Sequence, residues 1–358
     1  MNHLRELQQA LREEGLDALL LLTESGRFYA TDFQSSAGMA LILPDRAFLM
    51  TDFRYIEACR ERVRDCEVRL TTRENPGTAQ VKAILDEHPA LCIGIDEGGL
   101  TLDGNKAWKK TLPRRKLISA AALLGRLRAQ KAEWEIERMQ EAQRIAETAY
   151  AELLRDKVIR AGMTERALMA ELVYRLFRAG ADKLSFDPIV VSGPNSSKPH
   201  GVPGDRALQR GDFITLDFGC IKDGYCSDMT RTIALGEATE EMRRVYDVVL
   251  RAKEAGIAAA RPGVKGCDVH NAAAAIIAQA GFGEYFGHGF GHGIGLAVHE
   301  GPSASAGNND ALPENAVISA EPGIYLPGRF GVRIEDVIVL QKGGTRNLMR
   351  APTELTIV

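Results

Sequence analysis

The sequence predicts an α+β protein of two domains, a smaller α/β domain over residues 1–125 and a larger, internally duplicated domain over residues 126–358. The chain has 358 residues, about twice the length of an ordinary domain. Its first 120 residues alternate short apolar runs with helical patterns, which is typical of a small α/β domain with a mixed sheet. Near Gly125 the pattern changes to long, charged, amphipathic helices followed by strands.

The smaller domain begins with a helix, because Leu4, Leu7 and Leu11 recur at helical spacing and Gly15 follows as a stop signal. After this helix, strands are predicted over Ala18–Leu22, Met39–Leu43, Ala47–Met50, Val68–Leu70, Leu91–Ile95 and Lys116–Ile118, and helices over Tyr55–Val63, Thr78–Glu87 and Thr101–Lys110.

The larger domain contains the order helix, helix, strands twice. The first round is predicted as helices Lys131–Arg155 and Thr164–Arg178 with strands Pro188–Ser192, Phe213–Phe218 and Met229–Leu235. The second round is predicted as helices Glu240–Ala260 and Asp268–Ala280 with strands near Val317–Ala320 and Val332–Leu340. The repeated order predicts an internal duplication, although the two rounds show no similarity residue by residue.

Composition excludes several classes of protein. Lys plus Arg number 45 and Asp plus Glu 48, a net charge of −3 that argues against a nucleic-acid partner. No apolar run approaches the roughly 18 residues of a membrane span, so we expect no membrane partner. The polar N-terminus does not resemble a secretory signal, and none of the six cysteines forms a Cys-x-x-Cys pair. We therefore expect a cytoplasmic protein with reduced thiols.

Two aspartates are expected to share one face of a β-hairpin. Asp217 lies inside the predicted strand Phe213–Phe218, and Asp228 directly precedes Met229–Leu235. Asp223-Gly224 between them is a strong hairpin-turn signal. Residues an odd number apart across an even-length loop lie on the same face. Two like charges there are destabilising unless a cation lies between them, or unless one carboxylate caps a turn and the other is solvated.

Three histidines lie within or just after a segment that has glycine at every second position. Gly287–Gly295 contains His288 and His292, and His299 follows. Such glycines let the backbone approach a ligand closely. The segment does not match the dinucleotide-binding fingerprint, because His292 stands where a third glycine is needed. His299-Glu300 does not form a His-Glu-x-x-His zinc motif, because no histidine stands three residues after Glu300. One isolated histidine favours a structural role, but three within twelve residues predict a functional one.

Two glutamates lie in apolar surroundings. Glu321 ends the predicted strand Val317–Ala320, and Glu335 lies within Val332–Leu340. Buried acids need a cation, a hydrogen-bond network or a raised pKa. An alternative to a metal site is that one of these glutamates forms an ordinary ion pair with Arg333.

Two aspartates, one histidine and two glutamates together suit a pair of divalent ions of the Mn, Co, Zn or Fe kind, rather than a four-thiolate zinc site. Two such ions, about 3.5–4 Å apart, bind a shared hydroxide and polarise a carbonyl. His200, in the segment Asn195–Gly201, is then placed to orient a substrate or to move protons.

Six blocks resemble the signatures of the pita-bread metallopeptidases of family M24: Phe186–Gly193 with Pro199–Gly201, Leu216–Gly219, Cys226–Arg231, Gly291–Gly295, Glu321–Tyr325 and Arg333–Asp336. The chain is similar to the Xaa-Pro branch, which includes aminopeptidase P and prolidase. Residues 17–56 resemble the creatinase-type N-terminal domain, although Asp32 stands where that domain usually has glycine. The resemblance covers nearly the whole chain.

The resemblance implies a site and a substrate. The implied metal ligands are Asp217, Asp228, His292, Glu321 and Glu335. The implied active-site histidines are His200, His288 and His299, and Glu321 also serves as the acid/base on the bridging hydroxide. The implied cofactors are two divalent metal ions, manganese first and cobalt, zinc or iron as alternatives, and the implied assembly is a homodimer. Two departures from the family pattern are Ala297, often an acid, and Val337, commonly Thr.

Other functions on the same fold fit less well. Creatinase-like hydrolases work without the metal set, non-catalytic binding modules have lost it, and methionine aminopeptidases usually lack the separate N-terminal domain. Prolidases often have a basic residue just after the pair that corresponds to His299-Glu300, whereas Gly301–Ser305 has none and the next base is Arg329. An Arg is the natural partner of a dipeptide carboxylate. The sequence therefore favours an Xaa-Pro aminopeptidase, with Xaa-Pro dipeptidase as the alternative.

Overall fold

The computed structural model describes residues 1–88 and 91–358, which form two compact units, Met1–Leu127 and Arg128–Val358. In the described residues no helix is both long and apolar enough to cross a membrane.

The first unit is a mixed sheet with helices. Its helices are α1 Leu4–Glu13, α2 Glu24–Thr31, α3 Ile56–Arg62, α4 Gly77–Glu87, α5 Leu102–Thr111 and α6 Ala121–Ala129, the last of which runs into the second unit. Its strands are β1 Ala18–Leu21, β2 Met39–Ile42, β3 Ala47–Thr51, β4 Glu67–Leu70, β5 Cys92–Ile95 and β6 Lys116–Ser119. The sheet order is β4-β3-β2-β1-β5-β6, with β1–β2 and β2–β3 antiparallel and the other pairs parallel.

The predicted strands of this unit are confirmed to within one or two residues, and α1 buries Leu4, Leu7 and Leu11 as its spacing indicates. Helix α2 was not predicted, because its short polar sequence lacks an apolar period. The side chain of Thr23 caps α2 by accepting a hydrogen bond from the Gly26 amide. Asp32 ends α2 with φ +54°, a left-handed conformation that explains why glycine is usual there.

The second unit contains both predicted rounds. Its helices are α7 Glu133–Arg155, α8 Glu165–Arg178, α9 Glu240–Ala259 and α10 Gly266–Gln279. Its strands are β7 Lys183–Leu184, β8 Ile189–Ser192, β9 Phe213–Phe218, β10 Cys220–Lys222, β11 Tyr225–Cys226, β12 Met229–Ala234, β13 Gly291–Gly293, β14 Glu300–Ala304, β15 Val317–Ala320, β16 Gly323–Leu326, β17 Phe330–Arg333, β18 Asp336–Gln341 and β19 Gly344–Asn347. Short 3₁₀ turns cover Glu97–Gly99 in the first unit and Gly193–Ser197 and Gly283–Tyr285 in the second.

Each round has its own hydrophobic core. One core joins α7 and α8 to β8, β9 and β12, and the other joins α9 and α10 to β15, β16, β17 and β18. The strand orders are β12-β9-β8 for the first round and β14-β13-β15-β18-β19 for the second, with β16-β17 and β11-β10-β7 as small additional sheets. The repeated order thus corresponds to two helix pairs, each packed on its own strands.

One predicted strand is wrong. Val332–Leu340 is not continuous: β17 ends at Arg333 and β18 begins at Asp336, in a different sheet. The sequence contains no sign of this break, because apolar residues flank the charged ones on both sides and no glycine or proline separates the two strands. The break leaves Glu335 at the junction of the two sheets.

Candidate active site

Asp217 and Asp228 lie on one face of the β9–β12 pair, as predicted. Thr230 is directly opposite Asp217, so Asp228, two residues earlier on the partner strand, is its diagonal neighbour. The turn at Asp223-Gly224 joins β10 to β11 with positive φ at both positions, as a type I′ turn requires. Gln143 on α7 fixes the Asp228 main chain, donating to its carbonyl at 2.6 Å and accepting from its amide at 3.2 Å.

The glycines of β13 are required by close packing. A Cβ atom at Gly291 would lie 1.9 Å from the Ser319 carbonyl oxygen, and one at Gly293 would lie 2.5 Å from Gly301. This packing holds His292 between strands, and the Ser319 hydroxyl accepts a hydrogen bond from its amide at 3.0 Å.

His292 presents one ring nitrogen to the acids. Its Nδ1 lies 3.2 Å from the Gly293 carbonyl oxygen, and since a carbonyl only accepts, Nδ1 carries the proton. Nε2 is therefore the nitrogen that faces the carboxylates, 3.0 Å from Glu321 Oε1 and 3.6 Å from Asp228 Oδ2. Burial would lower the pKa of His292, but the hydrogen bond and charge of Glu321 raise it, which favours a proton on Nε2 beside the carboxylates. A divalent cation bound by these groups would take the place of that proton.

Glu335 gives the most direct indication that this site binds a cation. Its Oε2 accepts a hydrogen bond from the Thr230 hydroxyl at 2.7 Å. Its Oε1 is buried and has no hydrogen-bond partner among the residues described. Single ligand atoms of Asp228, His292 and Glu335 lie within 4.8 Å of one another. These donors fit a divalent metal ion of the kind that accepts mixed carboxylate and imidazole ligands.

The charges of the cluster are poorly compensated. Burial, followed by neighbouring carboxylates, raises the pKa of both Asp228 and Glu335 well above the ordinary value. Burial also raises the pKa of Asp217, against the opposing charge of Arg333. Glu321 differs: burial would raise its pKa, but the hydrogen bond and charge of His292, with Arg333, lower it to about 2.

Arg333 does not form the ion pair with a glutamate that the sequence offered as an alternative. Its Nη2 instead donates to Asp217 Oδ2 at 2.5 Å, and its Nη1 donates to the Tyr325 hydroxyl at 2.7 Å. His288 Nδ1 lies 2.8 Å from the Gly289 carbonyl oxygen, and its Nε2 lies 3.0 Å from the Tyr325 hydroxyl. Tyr325 therefore accepts from Arg333 and donates to His288.

A cavity of about 850 Å³ opens over these groups. All eight residues predicted for the site line it, namely His200, Asp217, Asp228, His288, His292, His299, Glu321 and Glu335. The ring of His299 lies 4.2 Å from that of His292. Burial lowers the pKa of both His288 and His299, which favours neutral imidazoles near pH 7.

Several residues around the cavity were not singled out by the sequence analysis. Tyr325, Gln143 and Thr230 hydrogen-bond to the site residues His288, Asp228 and Glu335, which lie 37, 85 and 105 residues away in the chain. Such partners carry no local signal, because a polar residue in a strand or helix reads the same whether or not it faces a site. The Ala297 amide donates to Glu300 Oε2, and Val337 lies opposite Ser319 in the β15–β18 register.

The cysteines are free, as predicted. Burial raises the pKa of Cys226, which adjoins the β11–β12 connection, to about 12. A thiol with so high a pKa is a poor nucleophile at neutral pH.

Comparison with known proteins gives the same assignment over the whole chain. Residues 137–342 match the family described as "Metallopeptidase family M24", and residues 3–130 match the "Creatinase/Prolidase N-terminal domain". The "Uncharacterized peptidase YqhT" of Bacillus subtilis is 36% identical over 99% of both chains.

Two solved structures are similar throughout. The "Xaa-Pro dipeptidase" from Bacillus anthracis has a TM-score of 0.94 and 36% identity, covering 99% of both chains. The X-Pro aminopeptidase from Thermotoga maritima has a TM-score of 0.93 and 36% identity, covering 100% of both chains. These findings confirm the predicted fold class, a creatinase-type N-terminal domain followed by the pita-bread α+β domain. The chain therefore belongs to metallopeptidase family M24, which implies divalent metal ions, and Asp228, His292 and Glu335 form a candidate site for one.

Proposed function

We propose that this protein is a two-metal peptidase that removes the first residue from peptides with proline in the second position. The observation that carries the proposal is that the five predicted ligands, four carboxylates and the imidazole of His292, line one cavity, with Glu335 Oε1 buried and unpartnered in the described structure. An uncompensated buried carboxylate is costly unless a cation binds it. Two solved structures that are similar to this chain over its whole length are named for action on Xaa-Pro peptides, which supports the same substrate class.

The residues proposed to hold the two ions are Asp217, Asp228, His292, Glu321 and Glu335. When bound, such ions act as Lewis acids that polarise the scissile carbonyl and lower the pKa of water. Manganese is the proposed native metal, with cobalt, zinc and iron as alternatives, because these ions share carboxylate and imidazole ligands.

The protein's own residues are proposed to bind the peptide and to move protons. Glu321 accepts and returns the proton of the attacking water, since its carboxylate is held ionised by His292. His200 and His299 lie on the cavity wall, where a ring N–H group of each is proposed to donate a hydrogen bond to the carbonyl that precedes proline. His288, oriented by Tyr325, lines the space for the proline ring.

Proline explains why a metal site suits this substrate. The peptide nitrogen of proline has no N–H, so a site that recognises that group by hydrogen bonding binds it poorly. A site that acts on the preceding carbonyl avoids this problem. The free amine of the first residue then supplies the second point of attachment, to an acid of the cluster or to an ion.

The cavity favours an aminopeptidase over a strict dipeptidase. Of the described residues that line it, Arg333 is the one with a permanent positive charge, and its guanidinium is engaged by Asp217 and Tyr325. The segment after His299 contributes Ser303 and Ser305 instead of a base. Xaa-Pro dipeptidase remains the second candidate, because the similar Bacillus anthracis protein carries that name.

Paired substrates test the proposal. The value of kcat/KM is measured for one Xaa-Pro dipeptide and for the same peptide extended by one residue, with an Xaa-Ala-Xaa tripeptide as the control. We expect the extended peptide to be cleaved at least as well as the dipeptide and the alanine control to be cleaved poorly. A preference for the dipeptide of more than about tenfold, or about 1.4 kcal/mol of transition-state binding, would assign the protein as a prolidase.

We further propose a cytoplasmic homodimer with domains over residues 1–125 and 126–358. A separate α/β domain without catalytic motifs needs a role, and shaping the active site across a dimer would supply one. Sedimentation of an active preparation tests this, and a species that is active as a monomer would exclude it.

A further inference from the structure

His200 owes its position to the backbone that carries it. Its side chain is exposed on the cavity wall, and the structure gives it no hydrogen-bond partner among the described residues. It lies in the irregular segment between β8 and β9, within residues 192–204, which we call the His200 loop. Because nothing holds the imidazole directly, the order of this loop decides where the imidazole lies.

One buried carboxylate joins both ends of the His200 loop. Glu165, in the first turn of α8, is 0% exposed. Its Oε1 accepts hydrogen bonds from the amide and the hydroxyl of Ser192, at 2.7 and 2.9 Å. Its Oε2 accepts from Asn195 Nδ2 at 2.9 Å and from the Gly204 amide at 3.1 Å. The two oxygens thus fix the beginning and the end of the same loop.

Further hydrogen bonds strengthen the link between Glu165 and the two ends of the His200 loop. The Arg166 amide donates to the Gly204 carbonyl at 3.0 Å, so the start of α8 holds the loop end twice. Asn195 Nδ2 also donates to the Val202 carbonyl at 3.3 Å, across the base of the loop. Arg206 donates to the Ser192 hydroxyl at 2.5 Å and pairs with Asp212. These bonds close the loop around Glu165.

We infer that Glu165 is a positioning residue for His200, acting through the His200 loop and touching neither substrate nor metal. The inference rests on the proposed function for the role of His200. An ionised carboxylate is an acceptor only, with about four lone-pair sites, which matches the four donors that converge on it. No side chain with a donor of its own can satisfy the same set.

Glu165→Gln is therefore a small change with a defined consequence. The amide NH₂ group must face either Ser192 or the Asn195 and Gly204 donors, which places donor against donor at one end of the loop. We expect faster hydrogen exchange in residues 192–204, no change in metal content, and a fall in kcat/KM of about 10²-fold, the size of effect that small misplacements produce. The loss should be in kcat more than in KM.

Glu135→Gln is the matched control. Glu135 is likewise a buried glutamate, 1% exposed, in the first turn of a helix, α7. Its carboxylate accepts from the Tyr225 hydroxyl and from the Ala132 amide, and both of these partners lie outside the His200 loop. This variant should change stability without changing exchange in residues 192–204.

A double-mutant cycle with His200→Ala separates positioning from general structural damage. If Glu165 acts through His200, Glu165→Gln should cost less than about twofold in kcat/KM in the His200→Ala background. Asn195→Ala, which removes one donor and leaves Glu165 in place, should show a weaker form of the same pattern if Glu165→Gln folds poorly. Equal losses in both backgrounds, or unchanged exchange in the His200 loop, would overturn the inference. The exchange measurement needs no substrate, so a protein inactive on Xaa-Pro peptides would refute the proposed function independently.

Discussion

Glu335 and Asp336 are neighbours in the chain and almost equally buried, at 1% and 3% exposure, yet their surroundings are opposite. Asp336 accepts from Arg231 at 3.0 Å, from Lys253 at 2.5 Å and from Asn347 at 3.1 Å. Burial would raise its pKa, but Lys253 and Arg231 lower it. Among the described residues, the Glu335 carboxylate has one hydrogen-bond partner, the hydroxyl of Thr230. Burial, followed by nearby carboxylates, raises its pKa well above the usual range.

The difference shows that burial of an acid does not by itself mark a functional site. Asp336 is buried with its cations and forms a structural network, in which Arg231 also donates to main-chain carbonyls at Ala351 and Pro352. Glu335 lines the cavity, and in the part of the chain that the structure describes its buried Oε1 has no hydrogen-bond partner. The unmatched charge, rather than the buried one, identifies the site that needs an ion from outside.

The largest expected effect comes from removing the single imidazole of the cluster. His292→Ala should lose bound metal and at least 10³-fold of activity, because a Lewis acid contributes several kcal/mol to such a reaction. Metal analysis after equilibration with manganese or cobalt measures the loss directly. His88→Ala, in the first unit, is the control and should retain both metal and activity. A His292→Ala protein with two ions and full activity would show that the ligand assignment is wrong.

The next largest effect is expected at Asp336, on the stability of the protein. Asp336→Asn leaves Arg231 and Lys253 buried without a negative partner, and breaking such a pair costs about 3 kcal/mol or more. The free energy of unfolding, measured by chemical denaturation of the metal-free protein, should fall by that amount. A decrease below about 1 kcal/mol would mean that the Asp336 network contributes little to stability.

The sequence predicted relations between residues that are close in the chain, but not the partners of Asp336. The same-face relation of Asp217 and Asp228 follows from strand parity and turn length, which are local properties, and it is confirmed. The partners of Asp336 are different, because Lys253 lies 83 residues away on α9. The break between β17 and β18, which turns Glu335 and Asp336 to different surroundings, was hidden because no glycine or proline separates the two strands in the sequence.

The same limit applies to the ion pair of Arg333. The sequence places an arginine two residues from Glu335, but the arginine pairs with Asp217, 116 residues away. Charge patterns along the chain therefore identified which acids are buried, and only the packing of strands from both rounds decided which of them are compensated. The fold class, most elements and the residues that line the cavity were predictable, whereas the pairing of charges was not.

The smallest expected effect is also the most discriminating. The change in the free energy of unfolding at Glu335 should have the opposite sign to the change expected at Asp336. In the metal-free protein, Glu335→Gln removes one charge from a crowded set of acids, and its amide can donate to a neighbouring carboxylate. We expect the variant to be more stable than the wild type at neutral pH by about 1 kcal/mol, the usual net contribution of a hydrogen bond.

The pH dependence of that difference provides the check. A carboxyl group whose pKa is raised by folding stabilises the folded state fully below its unfolded pKa, about 4, and the contribution is lost as pH rises through the folded pKa. Metal-free wild type should therefore lose stability as pH rises above about 4 more steeply than Glu335→Gln. Added manganese should reverse the order, because only the wild type retains the full ligand set. Unfolding curves at several pH values, with and without chelator, measure both effects. If Glu335→Gln destabilised the metal-free protein as Asp336→Asn does, the two neighbours would have the same structural role, and the contrast between them would fail.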